Sequence, residues 1–300
     1  MEIKNFEEMT AFAGTGKIKK VVVAAAHDEH ALEAVFKACD DKLIDYLLVG
    51  KKAEILIIAD KLGHDIKEEK IVEAESDEEA ALKAVELIRE NKGDFLMKGK
   101  METKTLLKEV VNKETGIGTG DVMSHLALLE IPGHHKIIGF TDGGMILYPT
   151  MDEKKEIVKN AVKLFCDLGY ECPKIAAVAA VEVINPKMQE TLDGDELKKA
   201  AQSGELGNCY VEGPISCDLA FSKEAAEIKG FESPVTGETD IMLVPNIATG
   251  NIVTKALIHF AKAKMAGCVL GAKVPIVLSS RGASFEEKYY SLLLCAAQAK

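Results

Sequence analysis

The chain has 300 residues, of which 47% are hydrophobic and 28% are charged, a balance typical of a soluble globular protein. This balance excludes a disordered, collagen-like or coiled-coil chain. The formal net charge of −11 disfavours a nucleic-acid partner, because a phosphate polymer is repelled at long range. Apolar runs such as Val21–Ala26 are too short to span a membrane, and the glutamates within Met1–Thr10 argue against a signal peptide.

The seven cysteines are odd in number and lie mostly in apolar segments. This pattern predicts reduced thiols in a cytoplasmic protein. Their spacing does not suit a zinc site, so we expect no metal. Only two of the 37 basic residues are arginines, Arg89 and Arg281. Both are of interest because the guanidinium group of arginine can bind an oxyanion through two parallel hydrogen bonds, which lysine cannot do.

Short β-branched runs alternate with longer amphipathic stretches, which predicts an α/β fold. The predicted strands are, in chain order, Val21–Ala26, Tyr46–Val49, Asp94–Met97, Lys174–Ile184, Ile241–Pro245 and Val274–Leu278. The predicted helices are Ala31–Ala38, Ala53–Leu62, Ser76–Asn91, Thr150–Leu168, Lys187–Ser203, Ser222–Ile228, Asn251–Met265 and Ser284–Ala299.

Local patterns add detail to this alternation. The segment Lys136–Tyr148 predicts a strand, a turn at Asp142–Gly144 and a second strand. Thr150 and Glu153 have the spacing of a capping box, in which each side chain bonds to the other's backbone at the start of a helix. Asn251 is predicted to cap the helix that follows it.

Two glycine-rich segments do not support nucleotide binding. Gly14–Lys17 resembles part of a P-loop, but the first glycine of that motif falls at Ala11, and the segment precedes a strand instead of following one. Alternate glycines within Gly116–Gly120 lack both a preceding strand and a downstream acid for a ribose, so we expect a flexible loop.

Two turns that are rich in Gly, Ser and Thr each join a predicted strand to a predicted helix. They are Asn246–Asn251 and Ser279–Ser284. Turns of this kind at the carboxyl edge of a sheet direct backbone N–H groups and the positive end of a helix toward one point, which suits an anion such as phosphate. Ser280 adds a hydroxyl and Arg281 adds a guanidinium, so the second turn predicts an oxyanion site.

Structural roles remain open for the residues of this second turn. Ser284 and Glu287 have capping-box spacing, and on spacing alone the cap is favoured over a catalytic carboxylate for Glu287. Arg281 can equally be a solvated surface residue.

Together with the sequence around them, the two turns resemble the phosphate acyltransferase family, which comprises phosphate acetyltransferases and phosphate butyryltransferases. The chain is more similar to the butyryltransferases in its length and in two segments, Met97–Val111 and the SFEEKYYSL ending. The resemblance covers most of the chain and is strongest over its last ninety residues or so. The matching segments are Val21–Val35, Glu212–Ser222, Glu232–Asp240, Asp240–Leu257 and Gly271–Leu292.

The resemblance implies two α/β/α domains with a cleft between them, as in isocitrate and isopropylmalate dehydrogenases. The first domain would comprise residues 1–130 plus 272–300, and the second residues 131–271. It also implies a homo-oligomer. The implied reaction converts a short-chain acyl-CoA and inorganic phosphate into an acyl phosphate and CoA. CoA is then a substrate, and no cofactor is expected.

The resemblance also implies roles for individual residues. Arg281 would bind the phosphate, Ser280 would hydrogen-bond the thiol or the carbonyl, and Glu287 would deprotonate CoA. Ser124, which we place at the start of a helix as a cap, is a further candidate. The implied substrate-binding residues are Asn251, Lys255, Lys229, Asp142, Ser124 and His30.

The chain differs from the acetyltransferase pattern in three places. Those enzymes have Asp at the position of Glu287, Arg at that of His30, and Arg within the segment matching Lys104–Lys108. Two other functions therefore stay open. One is a CoA-binding relative without activity, and the other is a dehydrogenase of the same fold, which would need an Asp cluster for a metal and an acid for its cofactor.

Overall fold

The structure is a computed structural model that describes residues 2–280 and 282–299. The strands in these ranges are β1 (Lys19–Ala24), β2 (Ile44–Gly50), β3 (Ile71–Glu73), β4 (Phe95–Lys98), β5 (Ser124–Glu130), β6 (Ile138–Thr141), β7 (Lys174–Val178), β8 (Tyr210–Ile215), β9 (Ile241–Leu243), β10 (Lys264–Leu270) and β11 (Ile276–Val277). The helices are α1 (Phe6–Ala13), α2 (Glu29–Asp40), α3 (Lys52–Lys61), α4 (Asp77–Arg89), α5 (Thr103–Val110), α6 (Met151–Asp167), α7 (Gln189–Gln202), α8 (Cys217–Phe221), α9 (Lys223–Lys229), α10 (Ile247–Phe260) and α11 (Phe285–Gln298).

The chain forms two compact units. The outer unit comprises Phe6–Asp121 and Met265–Lys300, and the middle unit comprises Met1–Asn5 and Val122–Lys264. Strand β5 belongs to the middle unit and pairs there with β6, whereas the domains expected from the resemblance assign all of β5 to the first domain.

In the outer unit the strand order is β3-β2-β1-β4-β11-β10. All neighbouring pairs are parallel except β10 and β11, which are antiparallel. The valines of β1 are completely buried, and β1 contacts both α4 and α11. A strand that is buried along most of its length is typical of a parallel sheet covered by helices. The predicted α/β class is therefore confirmed.

In the middle unit the strand order is β5-β6-β9-β7-β8, parallel except for the β5–β6 pair. Helix α6 begins with the complete capping box predicted from Thr150 and Glu153. Helix α9 ends at Lys229 and is capped by Gly230, whose φ of 62° is in the left-handed region that glycine adopts at little cost.

Two predictions about the segment between β5 and α6 are wrong. Ser124 begins strand β5, not a helix. The prediction failed because a short apolar run such as that of β5 shows no periodicity that would distinguish a buried strand from a buried helix. The predicted second strand after Asp142–Gly144 does not form. Its first N–H groups, those of Met145 and Ile146, bond to the Asp142 carboxylate and are not available for pairing with another strand.

The predicted bounds of α10 are also wrong. Its cap is Asn246, whose side chain accepts a hydrogen bond from the N–H of Thr249, so Asn251 lies inside the helix. The helix ends at Phe260, and Lys264 begins strand β10, which pairs with β11. Similarly, the predicted strand Lys174–Ile184 ends at Val178.

Candidate active site

The turn after β11 carries the residues for which the sequence predicts catalysis. Ser279 is buried and Ser280 is exposed. The Ser280 carbonyl accepts a hydrogen bond from the N–H of Ala283 at 3.1 Å, which closes the turn just before α11. Arg281 lies outside the described residues. The turn is at the carboxyl end of a strand that runs parallel to β4, the position where parallel sheets bind ligands.

Glu287 lies in the first turn of α11. Its N–H donates to Ser284 Oγ at 3.2 Å, so Ser284 caps the helix as predicted. Among the described residues, however, the return bond from the Ser284 backbone to the Glu287 carboxylate is not formed, in contrast to the complete box of α6. Burial raises the pKa of Glu287 from 4.5 to about 6, and nearby Lys288 opposes this only in part. A carboxyl group with this pKa can gain or lose a proton near neutral pH.

His30 lies at the start of α2, also in the outer unit. Asp28 caps this helix by accepting a hydrogen bond from the N–H of Ala31 at 2.7 Å. The His30 side chain is exposed and lies 3.7 Å from the Glu33 carboxylate. It is therefore accessible to a ligand.

In the middle unit, Asp142 organises the loop that follows β6. It is only 3% exposed, and its carboxylate accepts hydrogen bonds from the N–H groups of Gly144, Met145 and Ile146 at 2.8, 2.9 and 3.3 Å. Three backbone donors on one carboxylate fix the course of the loop.

The start of α10 packs against this loop. A Cβ atom on Gly250 would lie 2.7 Å from the Cα of Gly143, so only glycine allows the two backbones to approach this closely. The Asn251 amide lies 3.5 Å from the Gly143 carbonyl. The structure therefore brings together two predicted site residues, Asp142 and Asn251, which are far apart in the sequence.

Strand β5 carries two polar side chains, and one of them, that of His125, lies beside the same loop. Ser124 is buried and accepts a hydrogen bond from the Asn160 amide at 3.0 Å. The sequence analysis missed His125, whose ring lies against Gly144. The His125 Nδ1 atom is buried without a hydrogen-bond partner, and burial lowers the pKa of the ring despite nearby Asp142. A lone histidine in an apolar run gave no signal of this position.

Two further predicted site residues, Lys229 and Lys255, lie on α9 and α10. Lys229 forms ion pairs of 2.9 Å with Glu182, which follows β7, and of 3.0 Å with Asp218, which follows β8. These hydrogen bonds raise the pKa of the Lys229 ammonium, so it stays charged at neutral pH. Lys255 is exposed on α10.

No group of three or more His, Cys, Asp or Glu side chains in the described part of the chain is arranged to hold a metal ion. Within the same residues, none of the helices is both long and apolar enough to cross a membrane. The structure is therefore that of an α/β protein with a carboxyl group on α11, that of Glu287, whose raised pKa suits it to proton transfer.

Comparison with known proteins identifies the family. A family model described as "Phosphate acetyl/butaryl transferase" matches residues 77–296. The phosphate butyryltransferase of Clostridium acetobutylicum is 44% identical over 294 residues, which cover 98% of each chain. The phosphate acetyltransferase of Thermotoga maritima is 40% identical over 291 residues, which cover 97% of this chain and 99% of that protein. The chain belongs to the phosphate acetyl/butyryl transferase family and is an acyltransferase.

Solved structures agree with this assignment. The crystal structure of a branched-chain phosphotransacylase from Enterococcus faecalis V583 is 33% identical and matches with a TM-score of 0.81 over 94% of this chain and 99% of that one. A putative 4-hydroxythreonine-4-phosphate dehydrogenase from Salmonella typhimurium matches with a TM-score of 0.55 at 14% identity, over 94% of this chain and 100% of that one. The second likeness is one of fold alone and confirms the dehydrogenase-like architecture.

Proposed function

We propose that the protein interconverts a short-chain acyl-CoA and inorganic phosphate with an acyl phosphate and CoA. Family membership supports the reaction, and the half-buried carboxylate of Glu287 in the first turn of α11 is the structural observation that carries it. In the direction of thioester synthesis, the CoA sulfur forms a bond to the acyl carbon, and the bond from that carbon to the phosphate oxygen breaks. The thiol proton goes to a base, and inorganic phosphate leaves. The reaction balances without a cofactor.

Glu287 is the proposed base. A free thiol with a pKa near 8.5 is only a few per cent ionised at pH 7. A carboxyl group with a pKa of about 6 is mostly ionised at that pH, and it is a stronger base than an ordinary glutamate. Environments that raise the pKa of a carboxyl group often mark catalytic acids and bases. A helix cap needs no such environment, so the shift favours catalysis over capping alone.

The turn after β11 supplies the proposed stabilisation of charge. The Ser280 hydroxyl is exposed at the carboxyl end of the strand, where it can donate a hydrogen bond to the carbonyl oxygen as negative charge develops there. We assign the binding of phosphate to Arg281 on the family resemblance.

Other residues are proposed to bind substrate. The Asp142 carboxylate is already engaged by three N–H groups, so it acts by holding its loop in place. The remaining substrate contacts proposed on the resemblance are Ser124, Asn251, Lys255, Lys229 and His30.

A direct attack of the CoA thiolate is favoured over an acyl-cysteine intermediate. All seven cysteines are free thiols. The pKa of the exposed Cys166 and Cys217 thiols is raised, chiefly by desolvation and also by a neighbouring aspartate. A raised pKa leaves less of the thiolate that an enzyme nucleophile requires.

The test uses purified protein with phosphate and a series of acyl-CoAs, and it measures the release of free thiol. We expect release that depends on phosphate and is fastest with butyryl-CoA, with acetyl-CoA and longer chains slower. Omitting phosphate is the control for simple hydrolysis. If no acyl-CoA releases thiol but CoA still raises the melting temperature, the protein is a CoA-binding relative without activity.

We also propose that the protein is a cytoplasmic homo-oligomer. Free thiols suit a reducing compartment. Within α10, all of which is described, only Gly250 is buried, while Ile252 and Phe260 are 67% and 88% exposed. Exposed apolar surface of this kind is typical of an interface. Light scattering should give at least twice the chain mass, and Phe260→Glu should lower it. A monomeric wild-type protein would contradict the proposal.

A further inference from the structure

Lys98 is the last residue of β4 and is only 5% exposed. β4 runs parallel to β11, with Met97 opposite Val277. Lys98 is therefore level with Leu278, two residues before Ser280. Because neighbouring strands lie about 4.8 Å apart, the backbone of Lys98 is one strand spacing from Leu278, at the edge of the sheet where the turn that carries Ser280 begins.

Two hydrogen bonds hold the Lys98 ammonium beyond the end of the strand. Its Nζ atom donates to the carbonyl oxygens of Gly99 and Met101, at 3.1 Å each. Both acceptors follow β4 in the chain, so the charge lies at the carboxyl edge of the sheet, from which the turn after β11 also emerges.

The segment 98–101 is held tightly in this position. The N–H groups of Gly99 and Lys100 donate to the carbonyls of Ala24 and Ala25 at the end of β1, at 2.8 and 2.9 Å. A Cβ atom on Gly99 would lie 2.2 Å from the Ala25 carbonyl oxygen, so only glycine permits this approach. A cation on such a rigid segment is preorganised to attract an anion.

Burial strengthens the attraction between this ammonium and a negatively charged ligand, because the effective dielectric constant is lower than in water. Lysine also binds phosphate readily as a compact charge. We propose that Lys98 binds the phosphate group that reacts at the turn of Ser280. This assignment rests on the proposed transferase function and adds a phosphate-binding residue that the sequence analysis did not identify.

The test compares Lys98→Gln with Lys92→Gln, which removes a lysine that is 59% exposed just after α4. We expect Lys98→Gln to raise the KM for phosphate about 10- to 100-fold, the loss that follows from removing a charged hydrogen bond. The KM for butyryl-CoA should stay within about twofold, as expected when a single ligand loses its partner. Lys98→Arg keeps the charge and should recover part of the phosphate affinity, and Lys92→Gln should leave both values unchanged.

A second measurement does not require turnover. Inorganic phosphate should raise the melting temperature of the wild-type protein and of Lys92→Gln, but should raise that of Lys98→Gln much less. If Lys98→Gln does not fold, Lys98→Arg decides the question through the same two measurements. An unchanged KM for phosphate together with an unchanged response to phosphate would show that Lys98 is purely structural. Failure of the wild-type protein to release thiol, with its response to phosphate intact, would instead overturn the proposed function.

Discussion

Replacing Glu287 with glutamine should lower turnover and raise stability at the same time. Burial raises the pKa of this carboxyl group from 4.5 to about 6, and a shift of this size corresponds to about 2 kcal/mol of stability lost when the group is ionised. Glutamine avoids that cost. It also removes a negative charge near the start of α11, which costs about 0.3–1 kcal/mol. The net gain at pH 7.5 is therefore about 1 kcal/mol.

The gain should depend on pH in a defined direction. Well below pH 4.5 the glutamate is protonated in both the folded and the unfolded chain, so burying it carries no charge penalty. The penalty develops as the pH rises through 4.5, where the unfolded chain ionises, and it is complete well above pH 6, where the folded chain is ionised as well. The stability advantage of Glu287→Gln should therefore be full at pH 7.5 and nearly absent at about pH 3.5.

Denaturant unfolding at both pH values measures the effect, with Glu286→Gln, an exposed neighbour in the same helical turn, as the control. Thiol release should fall about 10²- to 10⁴-fold in Glu287→Gln, the usual contribution of a general base. If Glu287→Gln is less stable than the wild-type protein at pH 7.5, or if its stability difference does not change with pH, the carboxylate acts as a helix cap and the catalytic reasoning is wrong.

Three other predictions test the fold and the route of the reaction. Asp142→Ala should lower the free energy of unfolding by about 3 kcal/mol, because three N–H groups lose their acceptor. Asp142→Asn keeps one acceptor oxygen and should lower it less. Equal losses for the two variants in denaturant unfolding would contradict this. Lys136→Met should cost about 3–5 kcal/mol, because it leaves the Asp240 carboxylate buried and unpaired, and Asp240→Leu in the same chain should restore much of the loss in the same measurement. Cys166→Ser and Cys217→Ser should retain thiol release in the acyl-CoA assay, and loss of release in either would favour an acyl-cysteine route.

Elements whose local signals were strong could be predicted from the sequence. The valine run of β1 and the capping box at Thr150 each determine structure over a few neighbouring residues, and both are confirmed. The segment after Asp142 could not be predicted, because its apolar residues suit a strand while the carboxylate captures the N–H groups that a strand requires. A side chain that competes with strand pairing leaves no period in the sequence.

The candidate site divides in the same way. Spacing placed Glu287 in the first turn of a helix, but its raised pKa comes from burial, which spacing does not reveal. Lys98 gave no signal, since its position next to the Ser280 turn depends on the pairing of β4 with β11, which are almost two hundred residues apart. The proximity of Asp142 and Asn251 likewise results from the loop after β6 packing against α10.

The position of β11 has a consequence for biosynthesis. This strand lies between β4 and β10 in the outer unit, although β4 is made early and β11 comes from the last part of the chain. During synthesis, residues 122–264 can complete their own sheet while β4 still has an unpaired edge, a state that exposes a template for aggregation. Premature termination between Met265 and Ile276 would thus remove an interior strand of the sheet, and not merely a tail.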